Sequence, residues 1–414
     1  MIKIHIPAAE LPSRKMQYYN LIQNAIRIRL RNLRVSLENL INPTTIDISS
    51  QPLGSINAVS YKLMKLIDPA STSKTRPQTA DYEMQTKLFR SKNATKINAL
   101  DLKFVINLLN DLDVKNDLLY ILLTKEADGI KGFNDKLISD YSIDEIKHLN
   151  IIKLAFNYEE FDRDIASEIR NYYWSSVDKI SYTFCPYCNL VKIAPDKMPN
   201  GGQIIIGTLD HFFNKDDFPL LSYSMFNLVP SCQPCNMVYK KKIGFTELYH
   251  LNPHYSGANK RMRFEPKYKG DFRKMEEITI SHHFADTTLE YQQLMGDTKL
   301  PNPFELGNLN VFNILNRYNP DAVDSAKNRL DRIDATNKNI PYIKKHLQRI
   351  FGKPDPEVYR DWYLANMESS FDEKDFGQRA YSKFNRDMHD FYYRVIDTDS
   401  VNDFVRQIND HEED

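Results

Sequence analysis

Apolar residues change their spacing several times along this chain, and each change marks an element. Between Pro12 and Asn42, Ile22, Ile26, Leu30, Leu33, Leu37 and Leu40 recur three and four apart, which is one face of an amphipathic helix. Arg27, Arg31 and Arg34 fall on another face, where solvent or a protein partner is favoured over nucleic acid. The leading MIKIHI alternates like a short strand. Helical spacing returns from Leu100 to Leu123 and from Ile143 to Trp174, whereas DPASTSKTRPQTA (68–80) is polar, turn-rich and linker-like.

A different period governs the middle of the chain. QIIIGTLDH follows a Gly201-Gly202 turn as a β-branched run and reads as one strand. A long loop to Phe226 comes next, then a second short strand at NLVP and a helix from about Gln233 to Lys242. MRFEP and EITISHH predict two further strands. From Leu309 the pattern is helical again, with a break at Asn319-Pro320-Asp321 and a further helix at IPYIKKHLQRIFG. The predicted class is α+β, a mostly helical chain around a small mixed core.

All four cysteines lie in this central stretch, as the pairs Cys185/Cys188 and Cys232/Cys235. One Cys-x-x-Cys turn aims two thiolates at one ion, and two such turns complete a tetrahedral zinc site. A lone pair would be weak support, but two pairs that use every cysteine are a specific signal. Disulfides are disfavoured because nothing in the sequence indicates an oxidising compartment. Four thiolates leave zinc no open position, so the ion is expected to be structural and any chemistry to lie elsewhere.

Between the pairs stand Asp210-His211 and Asn227, and Asn236 follows Cys235 directly. A carboxylate and an amide oxygen are hard ligands suited to Mg²⁺ or Mn²⁺. An imidazole, which titrates near neutral pH, can take a proton from water beside such an ion. The order strand, loop, strand, helix with Asp-His, Asn and Cys-Asn resembles the HNH (ββα-metal) endonucleases. That resemblance implies a metal-binding acid at Asp210, a general base at His211, a loop-bracing amide at Asn227 and a second metal ligand at Asn236. Many HNH relatives carry a lysine three residues after the Cys-Asn. Here Tyr239 holds that position, and Lys240, Lys241 and Lys242 follow as expected phosphate contacts, with Lys215 in the loop. His250 and His254 are weaker candidates for an extra metal or phosphate contact.

Composition limits the partners. The chain has 414 residues with Lys+Arg and Asp+Glu at 55 each, so its formal net charge is zero. Nucleic acid would therefore be met by local basic patches and not by bulk charge. No run of eighteen apolar residues and no secretory leader is visible, so no membrane association and a cytoplasmic location are expected. Three regions are expected: a helical 1–165 with a partner or sensor role, a zinc-stapled core at 166–266, and short strands then helices at 267–414. LNPHY, NVFNILNRYN and RAYSKFNRDM resemble, loosely, HNH nucleases of prokaryotic antiphage defence, of Septu-type or retron-associated systems. The resemblance implies a DNA endonuclease of little sequence specificity, held in check by a regulatory partner such as an ATPase or a retron component. The alternatives are an RNA- or tRNA-cleaving nuclease of the same chemistry and a zinc-knuckle binding scaffold without cleavage. Oligomeric state is not legible.

Overall fold

A computed structural model describes residues 1–42, 53–70, 82–98, 100–143, 146–157, 163–174, 183–199, 201, 203–258, 261–268, 275–282, 288–297, 299–319 and 373–395. It is α+β, with most described residues in helices and three two-stranded sheets among the described residues. No described helix is long and apolar enough to cross a membrane. The chain forms two compact units, each assembled from separated segments.

One unit contains Ile6–Tyr172 and His211–Val229. Its spine is α1 (Leu11–Ile41), begun by a proline in its first turn, where the missing N–H is not needed. The six apolar residues that predicted this helix are all buried. Against it pack α2 (Leu53–Ile67), α3 (Tyr82–Asn98), α4 (Leu102–Val114), α5 (Asn116–Thr124) and α7 (Ile146–Ala155). The remaining helices are α6 (Ile130–Asp140) and α8 (Arg163–Trp174). The arginine face of α1 is used inside the unit. Arg31 Nε donates to both Asp113 oxygens at 3.0 and 2.8 Å, Arg27 to Asn116 Oδ1 at 2.6 Å, and Arg34 to Asn110 Oδ1 at 3.1 Å.

The other unit contains Met1–His5, Tyr173–Asp210 and Pro230–Asp414. Met1–His5 joins no ladder: Ile2 N–H donates to Pro186 O and Ile4 N–H to Pro253 O, so the expected strand is an extended tie. QIIIGTLDH does not run as one strand. β1 (Asp196–Lys197) pairs with β2 (Gln203–Ile204), and β3 (Thr208–His211) pairs with β4 (Leu228–Ser231). The break falls at Gly207, where a Cβ would stand 2.4 Å from Trp174 Cζ2 and 2.9 Å from Ile193 O. The expected helix is a π-helix, Pro234–Lys240. β5 (Met262–Tyr268) and β6 (Met275–His282) pair antiparallel with Phe264 opposite Ile280. Then come α9 (Leu289–Met295), α10 (Asn308–Val311) and α11 (Ser382–Val395). Phe264 stacks on Tyr318 at 4.8 Å and meets Phe384 edge-on at 5.5 Å.

The units cross the three regions expected from sequence. The chain passes between units at Asp210/His211 and at Val229/Pro230, inside the expected core, and the 266/267 boundary would cut β5. The linker at 68–80 falls mostly outside the described residues, as do Pro320-Asp321 and the helix expected at IPYIKKHLQRIFG.

Candidate metal centre and active-site residues

The cysteines converge. Cys185 and Cys188 lie on a tight turn in which Asn189 N–H donates to Cys185 O at 2.7 Å, with Asn189 left-handed at φ 53°. Asn189 Nδ2 then donates to Phe376 O and Arg379 O, both at 3.0 Å, which fastens that later segment to the turn. Cys232 directly follows β4, and Cys235 lies in the first turn of the π-helix. All four are buried, none is in a disulfide, and their sulfurs lie within 4.8 Å of one another. Cys188 and Cys232 Sγ are 3.9 Å apart; a tetrahedral site with Zn–S of about 2.3 Å needs sulfurs about 3.8 Å apart. The donor set therefore fits a thiophilic ion, and it is the only such His/Cys/Asp/Glu group among the described residues. Arg317 Nη1 donates to Cys235 Sγ at 3.2 Å while its guanidinium lies over the Tyr239 ring. Burial opposes ionising Cys188, yet hydrogen bonds from the other cysteines and the charge of Arg317 hold its thiol well below the ordinary value.

In the same unit, β3 carries Asp210 into the interior at 3% exposure. Lys240 Nζ donates to Oδ1 at 2.8 Å and Oδ2 at 2.9 Å, and Tyr187 Oη donates to Oδ2 at 2.7 Å. Tyr187 sits between the first two cysteines, so the turn that aims the thiolates also aims this hydroxyl. Its ring stacks on Phe312 at 4.4 Å. Lys240 is buried with its ammonium 4.6 Å from the Phe245 ring centre. Burial lowers the Lys240 pKa against the pull of Asp210, and burial followed by the Asp210 charge pushes the Tyr187 phenol well up. Asn236 Nδ2 donates to Thr208 Oγ1 at 3.1 Å and Leu209 O at 3.3 Å. Its Oδ1 has no protein partner among the described residues, so an amide oxygen is available next to the strand that bears Asp210.

In the other unit, His211 Nε2 lies 2.9 Å from Ser222 O. A carbonyl can only accept, so Nε2 carries the proton and Nδ1 is the basic nitrogen of the neutral ring. Asn227 is fully buried. Its Oδ1 accepts from Phe213 N–H at 2.7 Å, and its Nδ2 donates to Phe213 O at 3.1 Å and Leu221 O at 3.0 Å. This amide closes the loop that delivers Ser222 to the imidazole.

Several expected residues lie elsewhere. Lys240 does not face solvent as a phosphate contact, because its ammonium is committed to a buried carboxylate. Lys241 and Lys242 are exposed and Lys215 is half-buried. His250 is not a ligand: Nδ1 accepts from Thr246 N–H at 3.0 Å, Nε2 donates to Glu305 O at 2.9 Å, and the ring stacks on Phe245 at 4.0 Å. Burial lowers its pKa to about 4, so it stays neutral. His254 is buried too, in a turn where its N–H donates to Asn252 Oδ1. The sequence reading missed Tyr187, Ser222 and Arg317. Only Tyr187 carried a signal, as an aromatic locked between two ligand cysteines.

Comparison with known proteins gives little beyond this geometry. No family model matches the chain, and no solved structure matches it. The chain is similar to Protein ea31 of Escherichia phage lambda, 23% identical over 253 residues that span 56% of this chain and 69% of the phage protein.

Proposed function

We propose that this chain is a metal-dependent HNH endonuclease that hydrolyses DNA phosphodiesters, with zinc at the four cysteines as a structural staple. The observation that carries the reading is the buried four-thiolate cluster formed around a strand, loop, strand and helix that bear Asp210-His211, Asn227 and Asn236 in that order. A scaffold that only binds would need the cysteines alone.

Asp210 and Asn236 are the residues that would hold Mg²⁺ or Mn²⁺, since both offer hard oxygen donors from one unit. When bound, such an ion supplies charge neutralisation at the phosphoryl oxygens. His211 accepts the proton of the attacking water at Nδ1, because Ser222 O keeps the other nitrogen protonated and the ring oriented. Asn227 preserves that orientation by fixing the loop between Phe213 and Leu221. Lys241 and Lys242 offer exposed charge to the phosphate backbone, which positions the duplex without reading its sequence. Control by a protein partner within an antiphage defence system belongs to this proposal through the resemblance alone.

The test is cleavage of plasmid DNA and total RNA with Mg²⁺, Mn²⁺ or EDTA, by wild type, His211→Ala and Cys185→Ser. DNA should be cut only with a divalent ion, His211→Ala should be folded and inactive, and Cys185→Ser should lose zinc and folded yield. DNA cutting that survives His211→Ala would remove the assigned base. Cutting confined to RNA would overturn the substrate.

A further inference from the structure

A carboxylate buried at 3% exposure cannot remain ionised without a cation at hand, since desolvation of an isolated buried charge costs several kcal/mol. In this chain that cation is Lys240, whose ammonium bridges both oxygens of Asp210. Asn236 is held on the strand that bears this acid by Nδ2 bonds to Thr208 Oγ1 and Leu209 O, and its Oδ1 has no protein partner among the described residues. A divalent ion on the same carboxylate would lie close to that ammonium, and even unit like charges about 4 Å apart repel by about 4 kcal/mol at an effective dielectric of about 20, so co-occupancy is disfavoured. Lys240 is also placed to leave. It ends the π-helix, a rare geometry that recurs at functional sites, and the residues after it, Lys241 and Lys242, are exposed. Its four-carbon stem can turn an ammonium from interior to surface without moving the backbone far.

We propose that Lys240 is a resident counter-ion, and that a divalent cation enters the Asp210–Asn236 pair by exchanging with its ammonium, which swings out to solvent. This rests on reading Asp210 and Asn236 as the ligands of that cation. The exchange lets the chain fold with Asp210 ionised and aimed before any divalent ion arrives. It also delivers a positive charge to the surface, next to Lys241 and Lys242, only when the metal is in place.

Pulsed amine acylation of the full chain, read by mass spectrometry, tests the exchange in the wild-type protein. Without Mn²⁺, Lys240 should be protected while Lys241 and Lys242 react. With Mn²⁺ it should become reactive, with a midpoint that follows Mn²⁺ binding measured by electron paramagnetic resonance. In Lys240→Met that retains zinc, Mn²⁺ should bind about tenfold more tightly or better, a modest share of what one contact charge is worth. Protection of Lys240 that persists at saturating Mn²⁺ would overturn the exchange. So would unchanged or weaker Mn²⁺ binding in the folded Lys240→Met protein, or no Mn²⁺ binding in either protein. Mn²⁺-driven exposure of Lys240 without any nucleic-acid cleavage would leave the exchange standing and remove the nuclease reading instead.

Discussion

Asn227→Ala isolates one side chain with an unusually complete set of partners. The backbone of Asn227 is bonded independently, its N–H to Ser224 O and its carbonyl to Phe212 N–H, so the substitution leaves the main chain in place. What disappears are three side-chain bonds at 2.7, 3.1 and 3.0 Å, all fully buried. Phe213 N–H and Phe213 O then lose this partner, whereas Leu221 O still accepts from Ser224 N–H at 3.1 Å. Each buried polar group left unsatisfied costs about 1–3 kcal/mol, and carbonyls with a second lone pair sit at the low end. The expected loss is about 2–4 kcal/mol in urea unfolding at pH 7. Asn227→Asp sharpens the test because it is nearly isosteric. One carboxylate oxygen can still accept from Phe213 N–H, but the other must face two carbonyl oxygens where an NH₂ stood. That environment raises the folded pKa of the introduced acid above its unfolded value of about 3.9. Destabilisation is then largest at neutral pH and shrinks as pH falls through the folded pKa, when the acid can donate to one carbonyl. The Ala variant should show no such recovery. A loss below about 1 kcal/mol for Asn227→Ala, or an Asp variant whose deficit does not narrow between pH 7 and pH 5, would refute the bracing role.

Two further substitutions report on the other unit. His250 has its pKa lowered to about 4 by burial, whereas an unfolded histidine titrates near 6.5. Above pH 6.5 both states are neutral and stability is intact. Between 6.5 and 4 the unfolded chain takes up a proton that the folded one refuses, a loss of about 2 kcal/mol on going from pH 7 to pH 5. His250→Phe should shrink that pH-dependent loss by the same amount whatever it costs at pH 7, and urea melts at the two pH values decide it. Arg317→Gln withdraws a guanidinium from Cys235 Sγ. Metal affinity measured against a chromogenic chelator should fall about tenfold to a hundredfold, the usual effect of losing a group that hydrogen-bonds a ligand.

How much of this was legible depends on whether the signal was local. The spacing of Ile22 through Leu40 predicts α1 because one helical face must be apolar along its whole length, and each of those residues is buried. The thiolate cluster is legible because Cys-x-x-Cys is a local turn with a fixed reach. α3 was not placed, and its apolar pattern is interrupted where Asn93 departs from helical geometry at φ −122°. QIIIGTLDH looks like one strand because β-branched residues dominate it, but Trp174, distant in sequence, closes on Gly207 and divides it. His250 looked like a candidate ligand because composition cannot show that Thr246, Glu305 and Phe245 already surround it. The arginines of α1 looked available to an outside partner because Asp113 and Asn116 lie some eighty residues away from them in sequence. For Gly207 and the arginines the deciding contact is long-range, and for His250 one of its three partners, Glu305, is as well.

The mismatch at Tyr239 is of another kind, because its explanation lies in the backbone. An α-helical turn closes from residue i to i+4, but here Lys241 N–H reaches Asn236 O, one residue further. A wider turn brings the fourth residue after Asn236 round to the side where an α-helix would place the third. Lys240 thereby takes the inward position and meets Asp210, while Tyr239 turns to Arg317. Such a turn is rarely stable by itself, and in this helix three side chains hold it: Cys235 in the thiolate cluster, Asn236 on β3 and Lys240 on Asp210. Sliding the helix back to α geometry would release all three together. The π-turn is therefore what sets Lys240, and not Tyr239, against Asp210.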